Sequence, residues 1–343
     1  MKKRIRIDLL SRAHHLNQPL TGFHRWAKLN GYVLEIRDCT AGSKYRVRKT
    51  ALVAAVDGLR LVYDMADGYQ SPEAMESLLG CCDFYFKRSF SEDVNQAMGY
   101  RKVYPYGLNY DVTWAGNPLT LGRKAGMLRT AWETVSGRLV TPEKMEQPSG
   151  REEKGVLFLA RLWREEPGLT PAENRERREI NRTRIRLLRT LKEMIGEPVI
   201  GGLRDDPVAA EMAPDLVLPA RLTNRNRYLA LMRRASVCVA TTGLHGSIGW
   251  KFGEYIAAGR AVVSESLRYT VPGPFREETN YLSFAAPEEC AEQVRFLLSH
   301  PEKIRSMQES NREYARDYLK PERLIGKTLE TAGIRGKETG SLC

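Results

Sequence analysis

The sequence predicts an α/β protein with two Rossmann-like, doubly wound domains. The chain has 343 residues, of which 42% are hydrophobic, so two domains can each bury a core. Short apolar runs, typical of strands covered on both faces, alternate with segments of helical periodicity. Residues 141–154 are polar, contain Pro and Gly and lack an apolar period, which is typical of a linker. We therefore predict one domain over residues 1–150 and another from residue 151.

The first domain opens with a strand, a loop, a helix that ends at a glycine, and a second strand. These four segments are residues 4–10, 11–22, 23–30 and 32–36. The loop contains His14 and His15, which are candidate substrate contacts. The alternative is that both histidines are solvated or structural loop residues.

Two aspartates follow a later strand of this domain. Residues 44–57 are expected to pair with a strand over 59–63, and Asp64 and Asp67 come just after it. Ligands bind at the carboxyl ends of parallel strands, so both carboxylates are placed to accept hydrogen bonds from acceptor hydroxyls. Alternatively, Asp67 belongs to a turn with Gly68, and Asp64 caps a helix.

The rest of the chain continues the alternation. Helices are predicted over 72–79, 89–98, 226–234, 287–299 and 307–319, and strands over 83–86, 156–160, 197–203, 216–218, 237–240, 261–263 and 280–284. The strand spacing after residue 156 fits a second doubly wound sheet. Residues 114–140 are predicted to be a helix-rich insertion with no assigned role.

Residues 235–265 organise the second domain as a strand, a glycine-containing loop, a helix, a turn and a strand. Ser247 is the predicted N-cap of a helix that runs to Ala258, and Gly259 is its predicted left-handed C-cap. Apolar residues recur on one helix face: Ile248, Phe252, Tyr255 and Ile256.

Another face of this predicted helix carries Ser247, Lys251 and Glu254, at the carboxyl end of a parallel strand. A helix N-terminus favours phosphate, and a carboxylate accepts hydrogen bonds from ribose hydroxyls. This pattern indicates a nucleotide site. The alternative is an ordinary βαβ unit with a solvated polar face.

Arg161 directly follows the strand over 156–160. A guanidinium suits a diphosphate because it donates two parallel hydrogen bonds. The alternative is a surface ion pair with Glu165 or Glu166.

The stretch KFGEYIAAGRAVV, residues 251–263, resembles the K-x-x-E-Y-x-A-A-G-x-P-V-V segment of GT-B glycosyltransferases, especially retaining family 4. The resemblance implies that the two domains face each other across a cleft, that Glu254 holds ribose, and that Gly246 and Ser247 lie by the diphosphate. The family often has a glutamate that contacts the donor sugar where this chain has Gly246. The adjacent His245 is a candidate to replace it.

Other segments carry the same resemblance. Residues 102–111 resemble V-x-P-x-G-x-(D/N), and residues 156–161 resemble the V-G-R-L opening of the second GT-B domain, whose arginine binds donor phosphate. The family places the nucleobase near Gly202 and Arg204. It also implies that residues 1–150 bind acceptor, that residues 151–310 bind donor, and that the final helix in residues 311–343 crosses back to the first domain.

The charge predicts an anionic partner. The formal net charge is +12 and the pI about 9.4. Residues 175–192 contain eight basic residues with a partly helical apolar period. Three interpretations stay open: a solvated helix face, a peripheral contact with an anionic membrane, or a nucleic-acid patch. Aromatic interleaving, which would favour single-stranded nucleic acid, is missing.

The six cysteines show no metal-ligand spacing and are expected to be reduced thiols of a cytoplasmic protein. The amino end lacks the apolar region of a signal peptide, and we find no apolar run as long as a membrane span.

These features together predict a cytoplasmic glycosyltransferase that moves a sugar from a nucleotide-sugar to an acceptor hydroxyl. The resemblance implies bacterial surface glycan or glycoconjugate synthesis, on a glycan or lipid-linked acceptor. Asp67, His14 and His245 are the catalytic candidates. Protein cations and a helix end are expected to neutralise the leaving group, so no cofactor or metal is required. The alternatives are a non-catalytic sugar-nucleotide or polysaccharide binder and a basic nucleic-acid-binding protein.

Overall fold

The computed structural model describes residues 2–40, 50–119, 139–147, 153–197 and 199–337. The chain forms two compact units, each built around its own sheet. The first unit takes the described residues of Met1–Pro142, Tyr269–Gly273 and Arg316–Cys343, and the second takes those of Glu143–Arg268 and Pro274–Ala315. The domain boundaries were predicted after residues 150 and 310. In the structure the chain passes from the first unit to the second after Pro142 and returns to the first unit after Ala315.

The sheet of the first unit has the order β2-β1-β3-β4-β5-β6. Its strands are β1 (Arg4–Leu9), β2 (Val33–Asp38), β3 (Ala51–Val56), β4 (Leu59–Asp64), β5 (Phe84–Lys87) and β6 (Val103–Pro105). β3 is antiparallel to both of its neighbours, and the other pairs are parallel. The turn between β3 and β4 contains Asp57 and Gly58, whose φ angles of 45° and 87° suit a tight hairpin. This hairpin confirms the predicted pairing for residues 51–56; residues 44–49 lie outside the described part.

Three helices pack on this sheet: α1 (Asn17–Asn30), α2 (Pro72–Leu79) and α3 (Glu92–Met98). α1 begins at Asn17, well before the predicted start at residue 23. The prediction was wrong there because Pro19 and Gly22 indicated a loop, although proline is tolerated in the first turn of a helix. Gly31 ends α1 with a left-handed φ of 76°, as predicted. Of the insertion predicted over residues 114–140, residues 120–138 lie outside the described part.

The sheet of the second unit is parallel throughout, with the order β11-β10-β9-β7-β8. Its strands are β7 (Glu153–Ala160), β8 (Val199–Leu203), β9 (Ala235–Ala240), β10 (Ala261–Glu265) and β11 (Leu282–Phe284). The strand predicted over 216–218 is wrong, because only an isolated bridge between Leu203 and Val217 forms there.

The helices of this unit surround the sheet. They are α4 (Pro142–Glu146), α5 (Pro171–Met194), α6 (Pro207–Met212), α7 (Ala220–Thr223), α8 (Arg225–Arg234), α9 (Trp250–Ala257), α10 (Pro287–Ser299) and α11 (Pro301–Tyr314). α5 begins with a capping box, in which Thr170 and Glu173 bond each other's backbone N–H groups. Leu187, Leu188 and Leu191 bury its apolar face in the core against the sheet.

The last helix, α12 (Pro321–Thr331), belongs to the first unit and packs on α1. A Cβ added at Gly22 would lie 2.3 Å from the carbonyl oxygen of Pro321, so glycine permits this close approach. The hydroxyl groups of Tyr63 and Thr328 also form a hydrogen bond of 2.7 Å in the core.

The two sheets with their surrounding helices confirm the predicted α/β class with two Rossmann-like sheets. No helix of the described residues is long and apolar enough to cross a membrane.

Candidate functional site

The carboxyl edge of β7 and β9 is a topological switch point. β8 lies on one side of β7 and β9 on the other, so the chain connections diverge here. Open α/β sheets bind ligands in the crevice outside such a point. Arg161 follows β7, and Thr241 and Thr242 follow β9. The structure therefore brings the predicted phosphate ligand Arg161 to the same edge as the loop over 241–249.

Arg184 of α5 joins these two strand ends. Its Nη1 donates to the carbonyl oxygen of Arg161 at 2.8 Å. Its Nε donates to the hydroxyl of Thr241 at 3.1 Å, and its Nη2 to the carbonyl oxygen of Thr242 at 3.0 Å. The side chain is buried, and this burial lowers the pKa of Arg184 to about 10, so it is charged at neutral pH. Arg184 therefore places a buried positive charge, bonded to neutral acceptors, at the switch point.

Lys251 of α9 adds a second cation. Its ammonium donates to the carbonyl oxygen of Leu159, at the end of β7, over 2.6 Å. It also lies 5.3 Å from the ring centroid of Tyr228. Desolvation, with smaller contributions from the charges of Arg184, Arg225 and Arg161, lowers the pKa of Lys251 to about 8, against the opposing charge of Glu254. Three cations thus share one small region.

Arg161 itself is exposed and lies over the ring of Trp163, with its guanidinium carbon 4.0 Å from the ring centroid. Arg177 approaches the same ring at 5.6 Å. Asn181 of α5 fixes the backbone of Trp163 by accepting from its N–H and donating to its carbonyl, each at 2.8 Å. The indole therefore positions the exposed guanidinium at the edge of the sheet.

Glu254, the predicted ribose ligand, is buried and has partners on both carboxylate oxygens. Tyr228 donates its hydroxyl at 2.7 Å, and Arg225 forms an ion pair at 2.7 Å. Burial, followed by the charge of Glu254, raises the pKa of Tyr228 well above its ordinary value. In this structure Glu254 joins α9 to α8, so a ribose hydroxyl would have to replace one of these partners.

The predicted helix start at Ser247 is wrong. α9 begins at Trp250, and Gly249, which has no side chain to cap it, is the N-cap. Residues 244–246 form a separate 3₁₀ turn in which His245 and Gly246 have left-handed φ angles of 59° and 66°. These conformations interrupt the helix. Ser247 is buried behind the turn, and its carbonyl accepts from the N–H of Gly243 at 2.8 Å.

His245 lies at the rim of this edge and is half-exposed. Its backbone N–H donates to Glu176 of α5 at 2.6 Å, and its Nδ1 lies 3.8 Å from the same carboxylate. Glu176 thus holds the turn in its left-handed conformation. The structure thus gives His245 an acidic partner, Glu176.

The two residues predicted to lie near the nucleobase, Gly202 and Arg204, have different environments. Gly202 is buried, and a Cβ added there would lie 2.4 Å from Cγ of Leu218, so this glycine permits close packing within the protein. Packing within the protein thus accounts for Gly202, and its predicted place near the nucleobase stays a prediction. Arg204 is exposed just past β8, where its N–H donates to the carbonyl oxygen of Ala160 at 2.8 Å.

The first unit has its own polar cluster after β4 and β5. Arg88 is buried and donates to the carboxylate of the predicted Asp67 at 2.7 Å. Desolvation and the charge of Arg88 together lower the pKa of His15 to about 4, against the opposing charges of Asp67 and Asp111. His14, the predicted catalytic histidine, is exposed. The structure thus groups Asp67 with His15 and Arg88.

Asp64 lies deeper in the same unit and is fully buried. It accepts from Lys87 at 3.0 Å, from the hydroxyl of Tyr85 at 2.6 Å and from the N–H of Ala66 at 2.9 Å. The carboxylate therefore holds the ends of β4 and β5 together, and the predicted helix cap does not form.

Sequence reasoning missed Arg184, Arg88 and the choice of His15. A signal for Arg184 was present, because it precedes Leu187, Leu188 and Leu191 by helical spacings and so shares their buried face. A signal for Arg88 was also present, because Lys87 and Arg88 lie at the carboxyl end of β5, the same kind of position that Arg161 has after β7. Nothing in the sequence distinguished His15 from His14.

Within the described residues, four of the eight basic residues in the basic segment of α5 pair with acids. Arg177 pairs with Glu166 at 2.8 Å, and Arg178 pairs with Glu165. Arg186 pairs with Glu288 at 2.7 Å and Arg189 with Asp215 at 3.2 Å. These exposed pairs favour the interpretation of a solvated helix face.

Among the described residues, no group of three or more His, Cys, Asp or Glu side chains is arranged to hold a metal ion. The predicted independence from metal stays a prediction.

A family model matches part of the chain. A model described as glycosyl transferase-like matches residues 178–328, somewhat less than half of the chain. This match confirms the resemblance to glycosyltransferases that residues 251–263 indicated. No curated protein matches the chain.

Solved structures match at low identity. A glycosyltransferase from Rickettsia africae ESF-5 is 14% identical with a TM-score of 0.43, and the match covers 79% of this chain and 69% of that one. Anabaena Alr3699/HepE, solved with UDP-glucose, is 13% identical with a TM-score of 0.39, covering 75% and 66%. A protein named as a UDP-N-acetylglucosamine 2-epimerase from Listeria monocytogenes is 12% identical with a TM-score of 0.41, covering 77% and 64%.

Proposed function

We propose that this protein is a glycosyltransferase that transfers a sugar from a nucleoside diphosphate sugar to an acceptor hydroxyl. The observation that carries the proposal is the cation group at the switch point of the second unit. Arg184 and Lys251 bond to neutral carbonyl and hydroxyl groups there, beside the exposed Arg161. A cluster of cations that are bonded to neutral groups favours an anionic ligand, and a diphosphate matches a charge of this size.

In the proposed reaction the bond between the anomeric carbon and the diphosphate oxygen breaks, and negative charge develops on that oxygen. A bond forms between the anomeric carbon and the acceptor oxygen, which loses its proton, and the nucleoside diphosphate leaves. Arg161 and Lys251 would stabilise this charge directly. Arg184 would contribute its field and hold the two strand ends in place. Asp67 or His15 would orient the acceptor hydroxyl and accept its proton. Because the pKa of His15 is lowered to about 4, its imidazole is neutral at pH 7, so that it can accept a hydrogen bond from the acceptor hydroxyl.

The acceptor that we propose is a glycan or a lipid-linked sugar, in the synthesis of a surface glycan. Attachment of α5 to an anionic membrane is part of this proposal. Arg175 and Arg182 are exposed on α5 and are the cations to test. Binding to anionic vesicles, and its loss in the Arg175→Gln/Arg182→Gln variant, would support attachment. If the parent protein does not bind anionic vesicles even at low salt, membrane attachment is no longer part of the proposal.

The test of the proposed function is calorimetric titration with UDP, GDP, ADP and CDP, followed by a hydrolysis assay on the matching sugar nucleotides. Saturable binding of one diphosphate and release of free sugar support a transferase. Binding without release would favour a non-catalytic sugar-nucleotide binder. If the chain binds duplex or single-stranded nucleic acid but none of these diphosphates, the proposal is wrong.

A further inference from the structure

Arg268 lies directly against Gly246 in the second unit. A Cβ added at Gly246 would lie 2.7 Å from Cδ of Arg268, 3.3 Å from its Nε and 3.5 Å from its Nη1. The arginine side chain therefore runs along the α-carbon of Gly246. The left-handed φ of 66° at Gly246 also favours glycine there. The missing side chain at position 246 thus makes the room that Arg268 uses.

The charge of Arg268 is not balanced within the described part of the chain, where it makes no hydrogen bond or ion pair. Two acids of this edge, Glu265 and Glu176, have other partners. Glu265 accepts from the N–H and hydroxyl of Thr242 at 2.5 and 2.8 Å. Glu176 accepts from His245 at 2.6 Å. A guanidinium that is packed on one side and open on the other is available to an external anion.

The sheet sets the distance between Arg268 and the cation group. β7, β9 and β10 are successive neighbours, and Arg161 and Arg268 follow the first and the last of them. Two interstrand steps amount to ~10 Å along the carboxyl edge. The turn over residues 244–246 lies between these two arginines. A ligand with its diphosphate at the cation group would therefore extend about one sugar ring toward Arg268.

We propose that Arg268, lying on Gly246, binds a carboxylate carried by the transferred sugar, so that the donor is a nucleoside diphosphate uronic acid. This inference rests on the proposed function. Arg161, Arg184 and Lys251 already supply positive charge for the diphosphate, which leaves Arg268 for a further anionic group. Guanidinium and carboxylate form two parallel charge-assisted hydrogen bonds, whereas a neutral hydroxymethyl group does not satisfy the same fork.

The experiment uses the full chain and calorimetric titration at fixed salt. UDP and GDP are titrated first, then two pairs that differ only at C6: UDP-glucose with UDP-glucuronate, and GDP-mannose with GDP-mannuronate. The parent should bind the uronate of one pair about tenfold more tightly than its neutral partner. Arg268→Gln should abolish that preference and leave the affinity for the free diphosphate unchanged.

Two further variants keep the result specific. Arg276→Gln makes the same charge change at an exposed residue of the same unit and should preserve the preference. Arg268→Lys keeps the positive charge but loses the paired N–H donors of the guanidinium. It should therefore retain part of the preference for the uronate.

Other outcomes overturn the inference. Equal affinity of the parent for neutral and acidic sugars contradicts it. If Arg268→Gln lowers the affinity for the free diphosphate and for both sugar nucleotides of a pair by the same factor, Arg268 is a diphosphate ligand. The proposed function would then stand. If the parent binds no nucleoside diphosphate, the proposed function fails, and this inference fails with it.

Discussion

The guanidinium of Arg184 donates to the backbone carbonyl of Arg161 over 2.8 Å, which ties the centre of α5 to the end of β7. Because the same guanidinium also bonds Thr241 and Thr242, one buried cation positions both loops of the switch point. A residue that stands within a run of surface arginines in the sequence thus has a central position in the site.

Replacing Arg184 with Ala should weaken both the fold and ligand binding. Three acceptors would lose their donor, and a buried carbonyl left unsatisfied costs about 1–3 kcal/mol. We expect the free energy of unfolding to fall by about 2 kcal/mol and the affinity for nucleoside diphosphate to fall at least tenfold. Urea denaturation and calorimetry measure these two quantities.

Arg182→Ala is the matched control, since Arg182 lies two residues before Arg184 on α5 and is exposed. It should change stability by less than about 0.5 kcal/mol. An Arg184→Ala protein that binds diphosphate like the parent would show that Arg184 is not needed for the anion site.

Lys251 should make anion binding depend on pH. Its pKa is lowered to about 8, so its charge, and with it the affinity for a nucleoside diphosphate, should decline as pH rises through 8. A bound diphosphate raises this pKa and moves the decline upward. Lys251→Met should bind more weakly at pH 7 and lose this pH dependence. Lys192→Met, at an exposed position of α5, should behave like the parent.

The stability effect of Lys251 has the opposite sign. Between pH 8 and its ordinary value of 10.5, the unfolded chain carries a proton on Lys251 that the folded chain lacks. Stability due to this group therefore rises with pH across that window. Denaturation curves that show no difference in slope between the parent and Lys251→Met there would contradict the lowered pKa.

Glu254→Gln should weaken nucleotide binding, as expected of a ribose ligand, and should also lower the melting temperature because the ion pair with Arg225 is lost. Arg225→Gln separates these effects. If ribose replaces Arg225 as the partner of Glu254, Arg225→Gln lowers stability but keeps the nucleotide affinity. Loss of stability in both variants with unchanged affinity in both would mean that Glu254 is purely structural.

His15 should matter more than His14. The pKa of His15 is lowered to about 4, so the unfolded chain binds an extra proton there between about pH 4 and 6.5. The parent should lose stability as pH falls through this range, and His15→Gln should lose less. If His15 accepts the acceptor proton, His15→Gln lowers kcat while His14→Gln leaves it unchanged. The reverse result would favour His14, the histidine predicted from the sequence.

Sugar release should survive a chelator, because Arg161, Lys251 and Arg184 supply positive charge at the leaving group. Assays after dialysis against EDTA measure this directly. Complete loss of activity that Mg²⁺ or Mn²⁺ restores would show that these cations do not suffice.

The sequence by itself determined the alternation of strands and helices and the placement of Arg161 at a strand end. These features depend on local patterns: apolar runs give strands, and residues after parallel strands meet at one edge. Gly259, with its φ of 60°, also follows from the local end of a helix. The start of α9 did not follow, because two left-handed residues in the turn before it leave no strong sequence signal.

The tertiary structure alone decided which charged groups are buried and with what partners. Glu254 pairs with Arg225 because α8 packs beside α9, and Arg184 reaches Arg161 because α5 lies across the sheet. Arg268 lies on Gly246 because β10 ends next to the turn after β9. Each contact joins residues that are far apart in the chain or on separate elements. Helical and strand periodicity describe only neighbours within one element, so the partners of these side chains are fixed by the packing of elements against each other.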